Sequence, residues 1–126
     1  MERLAYWLGL PITASALVGF ASAAPAFEGK YASSKSGYRQ SAEIARNATG
    51  YSVSIAVGTK GCSGLFEGAG TVQGSKLVAR VNDPDAKDDK CRIEISRSPK
   101  GIVVREDECL TWHGASCDFE GTLRKR

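Results

Sequence analysis

The sequence predicts an all-β protein, a single small antiparallel up-and-down sheet that closes into an eight-stranded barrel with two disulfides. Three observations support this prediction. Beyond the first two dozen residues, apolar and polar residues alternate with a period of two, which is typical of half-buried strands. Short runs rich in glycine, proline, asparagine and serine separate the alternating stretches. The chain also carries four cysteines, an even number in a short sequence, which indicates paired disulfides if the protein is exported.

The N-terminal segment has the three parts of a secretory signal peptide. Arg3 supplies positive charge, residues 4–20 form an uncharged and mostly apolar run, and Ala21-Ser22-Ala23 provides the small residues that a signal peptidase requires. We therefore expect residues 1–23 to be cleaved, which leaves one domain of residues 24–126 in the periplasm or outside the cell. The alternative is an uncleaved membrane anchor, because the apolar run is nearly long enough to span a bilayer.

Eight strands account for the alternating stretches. The clearest are the stretch from Tyr51 to Val57 and the stretch from Cys91 to Ile95, in which every second residue is apolar. No convincing helical periodicity follows the signal segment, so we expect no helix there. The predicted strands are 27–32, 38–46, 51–58, 65–72, 76–82, 91–97, 101–107 and 118–124.

A Phe-Glu-Gly triplet recurs at residues 27–29, 66–68 and 119–121. Strand alternation would point each phenylalanine inward and each glutamate outward, with the glycine where the backbone curves or approaches closely. The first and last predicted strands share this triplet, which suggests that they lie side by side and close the sheet. Closure removes exposed strand edges, and eight strands enclose an interior that side chains just fill.

An up-and-down strand order sorts the connections to two ends of the barrel. Tight turns near residues 47–50, 73–75 and 98–101 share one end, which we call the turn end. The connections after strands one, three, five and seven share the other end, which we call the loop rim, and all four cysteines lie there. Because Cys109 and Cys117 bracket one connection, we expect the pairs Cys109–Cys117 and Cys62–Cys91, although the sequence alone permits three connectivities.

The spacing of the cysteines and of the acidic residues disfavours a metal site. The cysteines include no C-x-x-C pair, and an oxidising compartment opposes the free thiolates of a four-cysteine zinc site. The run Asp83–Asp89 together with Glu94 matches several acidic positions of a calcium loop, but it lacks the central glycine and the flanking helices. We therefore predict a solvated acidic loop, with no metal and no other cofactor.

The segment from Cys109 to Cys117 carries the most distinctive side chains of the chain, with the single histidine next to a tryptophan. A constrained loop with an aromatic anchor loses little entropy on docking. We predict a binding site formed by Thr111, Trp112, His113 and Ser116. The alternative is that Trp112 plugs the barrel end and His113 caps a backbone carbonyl.

Catalysis and nucleic-acid binding are both disfavoured by composition. A serine nucleophile would need a base, and His113 is the only histidine, so we predict no enzyme activity. The net charge is +3, and basic residues are spread among acidic ones rather than concentrated on one face. The cluster Arg124–Arg126 is interpreted as a solvated tail. We expect membrane contact only through the signal peptide before its cleavage.

The residues from Cys109 to Leu123, with Trp112-His113-Gly114 and Cys117-Asp118-Phe119-Glu120-Gly121, resemble the C-terminal signature of small disulfide-bonded periplasmic β proteins of Gram-negative bacteria. Some of those proteins accompany lysozyme-inhibitor domains. The segment is also similar, in mechanism rather than ancestry, to Ivy-type inhibitors of vertebrate lysozymes, which present a histidine on a disulfide-closed loop to the enzyme cleft. This resemblance implies that His113 is the inserted residue.

Three hypotheses of function follow. The first is a secreted or periplasmic binding protein, an inhibitor of a lysozyme-like peptidoglycan hydrolase from host or bacterium, acting through the Cys109–Cys117 loop. The second is a barrel that binds a small molecule or glycan at its open end, and the third is a structural protein of the cell envelope. The net charge counts against a basic lysozyme, because like charges do not attract. Projection of Trp112 and His113 into solvent would favour docking, and a concave lining would favour a ligand.

Overall fold

Eight antiparallel strands follow one another round a closed barrel in chain order, and the first strand pairs with the last. The computed structural model describes residues 26–126, so the predicted signal peptide lies outside the described residues. One helical turn lies between the seventh and eighth strands of this part of the chain, and one 3-10 turn, Pro84–Ala86, lies between the fifth and sixth. The elements are β1 Gly29–Lys35, β2 Tyr38–Asn47, β3 Gly50–Gly58, β4 Ser63–Gln73, β5 Lys76–Val81, β6 Arg92–Ser98, β7 Gly101–Asp107, α1 Leu110–His113 and β8 Gly121–Lys125.

The predicted fold class is confirmed, since all eight strands are present and the sheet closes between β1 and β8. The boundaries shift by a few residues, most clearly at β8, where residues 118–120 lead into the strand without joining it. The expectation of no helix is wrong at α1. A single helical turn is too short to leave a periodicity in the sequence, and contacts with the rest of the barrel hold it in place.

Phenylalanine side chains fill the barrel from end to end. Phe27, Phe66 and Phe119 have no exposed surface, whereas the glutamate that follows each of them is exposed, as the repeated triplet predicts. Phe27 packs edge-on against Tyr51 near the turn end, and Phe66 packs edge-on against Phe119 near the loop rim. Gly68 leaves room for this packing, because a Cβ there would lie 2.6 Å from the ring of Phe66. In residues 26–126 the interior is therefore a packed core.

Two disulfides connect the loop rim, but the predicted pairing is wrong. Cys62 is bonded to Cys117, and Cys91 is bonded to Cys109. Cys91 and Cys109 flank the paired ends of β6 and β7, which brings their Cα atoms to 4.4 Å. The connection from β7 to β8 crosses the barrel end towards the start of β4, and this path brings Cys117 to Cys62. The disulfides therefore join the β7–β8 connection to the two neighbouring connections, and no disulfide links Cys109 to Cys117.

The cysteines also bear on the compartment in which the protein works. All four are paired, and residues 26–126 contain no free cysteine, which fits an oxidising environment outside the cytosol. Within the same residues, no helix has the length and apolar character needed to cross a membrane.

Candidate functional site

The predicted binding residues lie on residues 109–117, which we call the cap segment because it crosses the rim end of the barrel. Disulfides fasten both ends of this segment, from Cys109 to Cys91 and from Cys117 to Cys62. Its helical turn α1 rests directly on β4, since a Cβ placed on Gly64 would lie 2.5 Å from the Cβ of His113. The cap segment therefore has little freedom to move away from the barrel.

We predict that Gly64→Ala lowers the free energy of unfolding by about 1–3 kcal/mol, the usual cost of overpacking. The added methyl group would overlap the backbone and Cβ of His113, and both disulfides oppose the displacement that would relieve it. Gly61→Ala is the matched control, because a Cβ there meets nothing within 4 Å. Urea unfolding measures both variants, and equal midpoints would contradict close packing of the cap segment on β4.

The side chain of His113 lies under the rest of the cap segment and is only 6% exposed. Its Nδ1 lies 2.6 Å from the carbonyl oxygen of Gly114, and its Nε2 lies 2.8 Å from Oε2 of Glu106. The ring also packs edge-on against Phe119. A carbonyl and a carboxylate both accept hydrogen bonds, so the imidazolium with protons on both nitrogens is the form of His113 that satisfies both partners.

These surroundings raise the pKa of His113 above its ordinary value of 6.5. Burial is the largest single influence and lowers the pKa, because it disfavours the charged ring. The hydrogen bonds to Glu106 and Gly114, with the negative charges of Glu106 and Asp118, together outweigh burial. Glu106 also accepts a hydrogen bond from the backbone nitrogen of Phe119 at 2.6 Å. The ion pair thus joins the cap segment, β7 and the approach to β8.

Trp112 is half-buried and joins the cap segment to the connection between β5 and β6. Its Nε1 donates to Oδ2 of Asp89 at 2.9 Å, and Oδ1 of Asp89 accepts from the backbone nitrogen of Cys91 at 2.8 Å. Asp89 is therefore a structural acceptor within the predicted acidic loop. In residues 26–126, no group of three or more His, Cys, Asp or Glu side chains is arranged to hold a metal ion.

The exposed part of the cap segment borders a polar depression of about 480 Å³. The cap segment forms one wall through residues 111–116, and residues 61–63 form the other, held in place by the Cys62–Cys117 disulfide. All four predicted binding residues line this depression. Thr111 and Ser116 are exposed, Trp112 is half-buried and His113 is buried. Neither aromatic ring projects freely into solvent, and the contacts of both rings match the alternative role of closing the barrel end.

The fold places acidic and basic residues at different ends of the barrel, although the net charge of the chain is only +3. The loop rim, here residues 36–37, 59–62, 82–91 and 108–120, is predominantly acidic. It carries Asp83, Asp85, Asp88, Asp89, Glu108, Asp118 and Glu120 against Lys60, Lys87 and Lys90. At the turn end the balance is reversed. Counted with the last two residues of each strand, that end carries Lys30, Arg46, Lys76, Arg97, Lys100, Arg124 and Lys125 against Glu28. The same count adds Lys35, Arg39, Arg80 and Arg92 to the loop rim against Glu106 and Asp107, so the acidic excess of the rim lies in its connections.

Two polar side chains that support the rim were not among the predicted site residues. Glu106 lies on the inward face of β7 together with Ile102 and Val104, and Gln40 lies on the inward face of β2. Gln40 is buried, and its Nε2 donates to the carbonyl oxygen of Glu120 at 2.7 Å. The alternation of inward and outward positions along a strand could have identified both residues, since a polar residue on an inward face requires a buried partner.

Comparisons of the chain with protein-family models, with curated proteins and with solved structures found no significant match. Small closed barrels host many unrelated activities, so the function depends on the site rather than on the fold.

Proposed function

We propose that this protein is an exported binding protein of the cell envelope, working in the periplasm or outside the cell, and that its loop rim docks onto a basic lysozyme-like peptidoglycan hydrolase. The observation that carries the proposal is the acidic loop rim surrounding a segment fixed by two disulfides. Complementary charge favours encounter of the correct faces of two proteins. Charges beyond a Debye length of about 10 Å are largely screened, so the local charge of the rim matters more than the net charge of +3.

The exposed residues of the cap segment are the proposed contact surface. Ala115 and Ser116 are short and exposed, so they lose little conformational freedom on docking. The disulfides and the contacts of Trp112 and His113 hold these residues in place before any partner binds. Because both ring nitrogens of His113 are already bonded within the protein, we assign His113 to support of the contact surface rather than to insertion into an enzyme.

The test of this proposal is inhibition of a basic lysozyme by the purified protein, measured at low and at high salt. The wild-type protein is expected to inhibit, and Asp88→Asn/Glu108→Gln is expected to slow association about tenfold at low salt, because two exposed rim charges are removed. Glu43→Gln/Glu67→Gln makes the same change of charge on the barrel wall and is expected to behave as wild type. Absence of both binding and inhibition at low salt would remove lysozyme as the partner.

A second candidate function rests on the depression itself. Its lining includes Ser63, Thr111 and Ser116, together with Trp112. A polar depression rich in hydroxyl-bearing residues suits a short glycan. Titration with soluble peptidoglycan fragments in the absence of any hydrolase distinguishes the two candidates, since only a glycan-binding site would respond to the fragments alone.

A further inference from the structure

The turn end carries a compact group of basic side chains drawn from neighbouring strands. The β6–β7 turn is joined to β8 by the pairing of Gly101 with Arg124 and by the hydrogen bond from the backbone nitrogen of Lys125 to the carbonyl oxygen of Lys100. All members of the group are exposed. We call the group the basic patch, and it consists of Arg97, Lys100, Arg124 and Lys125. Arg126 lies instead along the outer wall of β1–β3, beside Arg39, Ser41 and Ala56.

The basic patch is fixed to the barrel and carries uncompensated charge. Arg124 and Lys125 lie within β8, and the backbone nitrogen of Arg126 donates to Lys30 on β1, so these residues do not form the solvated tail that the sequence suggested. Elsewhere at this end Arg46 is paired with Glu28, and Lys76 is paired with Glu94. Within residues 26–126, the basic patch makes no ion pair with a carboxylate.

From this arrangement we propose that the basic patch holds the barrel against an anionic lipid surface, with the loop rim directed away from it. Basic residues clustered on one exposed face are attracted to acidic headgroups. The acidic loop rim at the opposite end would be repelled by the same surface, so the separation of charge orients the molecule as well as binding it. This proposal is independent of the partner of the loop rim, and it departs from the expectation of membrane contact only through the signal peptide.

Two features favour a lipid surface over another polyanion. The turn end is blunt, because each of its three strand connections has only two residues between the strands, and a blunt charged end matches a planar surface. The chain also enters the barrel here, since Phe27 precedes β1 at the turn end. Until residues 1–23 are cleaved, the apolar residues 4–20 would therefore hold the exported chain at a bilayer by the end that carries the basic patch.

The test is co-sedimentation of protein recovered from exporting cells with vesicles of phosphatidylcholine alone, or of phosphatidylcholine and phosphatidylglycerol in equal parts. The wild type is expected to bind only the anionic vesicles, and to lose binding at high salt. The variant Lys100→Gln/Arg124→Gln/Lys125→Gln is expected to bind them on the order of 100-fold more weakly. The matched control Lys60→Gln/Lys87→Gln/Lys90→Gln removes equal charge from the loop rim and is expected to bind normally.

Three outcomes would overturn the proposal. One is failure of the wild type to bind anionic vesicles at low salt. Another is an equal loss of binding in the two triple variants, since that would reflect net charge alone. The third is self-association at low salt that depends on the basic patch and occurs without vesicle binding, because the patch would then serve the acidic loop rim of a second copy.

Discussion

Replacing Cys62 and Cys117 together with alanine is expected to lower the free energy of unfolding by about 4 kcal/mol. This disulfide joins residues separated by 55 positions, and removal of a link over so long a loop restores much entropy to the unfolded chain. A domain of this size has a total stability of only about 5–15 kcal/mol. Urea unfolding of the oxidised wild type and the double variant measures the difference.

The second disulfide provides the matched comparison for this prediction. Cys91→Ala/Cys109→Ala opens a link between residues separated by 18 positions, so its expected cost is smaller, about 3 kcal/mol. The two losses also differ in location. Without Cys62–Cys117 the cap segment is released from β4, and its amide protons are expected to exchange faster while the strands stay protected. Peptide mapping that links Cys62 to Cys91 would contradict the observed pairing and this prediction with it.

The topology was accessible from the sequence because each part of it leaves a local pattern. The alternation from Tyr51 to Val57 identifies a strand, and the repeated Phe-Glu-Gly triplet at both ends of the sheet indicates closure. The disulfide pairing has no comparable local pattern. It depends on the path of the cap segment across the barrel end, and that path is fixed by contacts between distant residues, such as Trp112 with Asp89.

Two features of the site could have been predicted from the sequence. Both follow when polar residues, as well as apolar ones, are assigned to a face and an end of the predicted strands. The predicted strand of residues 101–107 places Glu106 on the same inward face as Ile102 and Val104, where its side chain is largely buried. Assigning each charged residue to a barrel end likewise gives an acidic loop rim and a basic turn end. The net charge of +3 averages over both ends and so misrepresents the surface that a partner would meet.

His113→Ala is expected to lower the free energy of unfolding by about 3 kcal/mol, because it leaves the carboxylate of Glu106 without its partner where that side chain is only 12% exposed. The contribution of His113 depends on pH. Its pKa is raised in the folded protein, so the stabilisation is complete below its ordinary value of 6.5 and is lost as the pH rises through the folded value. Unfolding measured at pH 6 and pH 9 should therefore separate wild type and variant more at pH 6.

Glu106→Gln tests the cause of this behaviour without removing the hydrogen bonds. The glutamine oxygen can still accept from the backbone nitrogen of Phe119, and its amide group can donate to Nε2 of a neutral His113. The pKa of His113 is then expected to fall below that of the wild type, because the charge and the acceptor that favoured the imidazolium are gone. His113 is the only histidine, so its NMR titration is unambiguous. Glu67→Gln, on the outer wall of the barrel, should leave the titration unchanged.

The same titration bears on the proposed role of His113. A lowered pKa in Glu106→Gln would mean that the ring stays beneath the cap segment in solution, where it supports the exposed residues 114–116. An unchanged pKa near 6.5 in both proteins would mean that the ring spends its time in water, since an exposed histidine has that ordinary value. His113 would then be available to a partner, and the role implied by the resemblance to Ivy-type inhibitors, insertion into the enzyme cleft, would replace the supporting role.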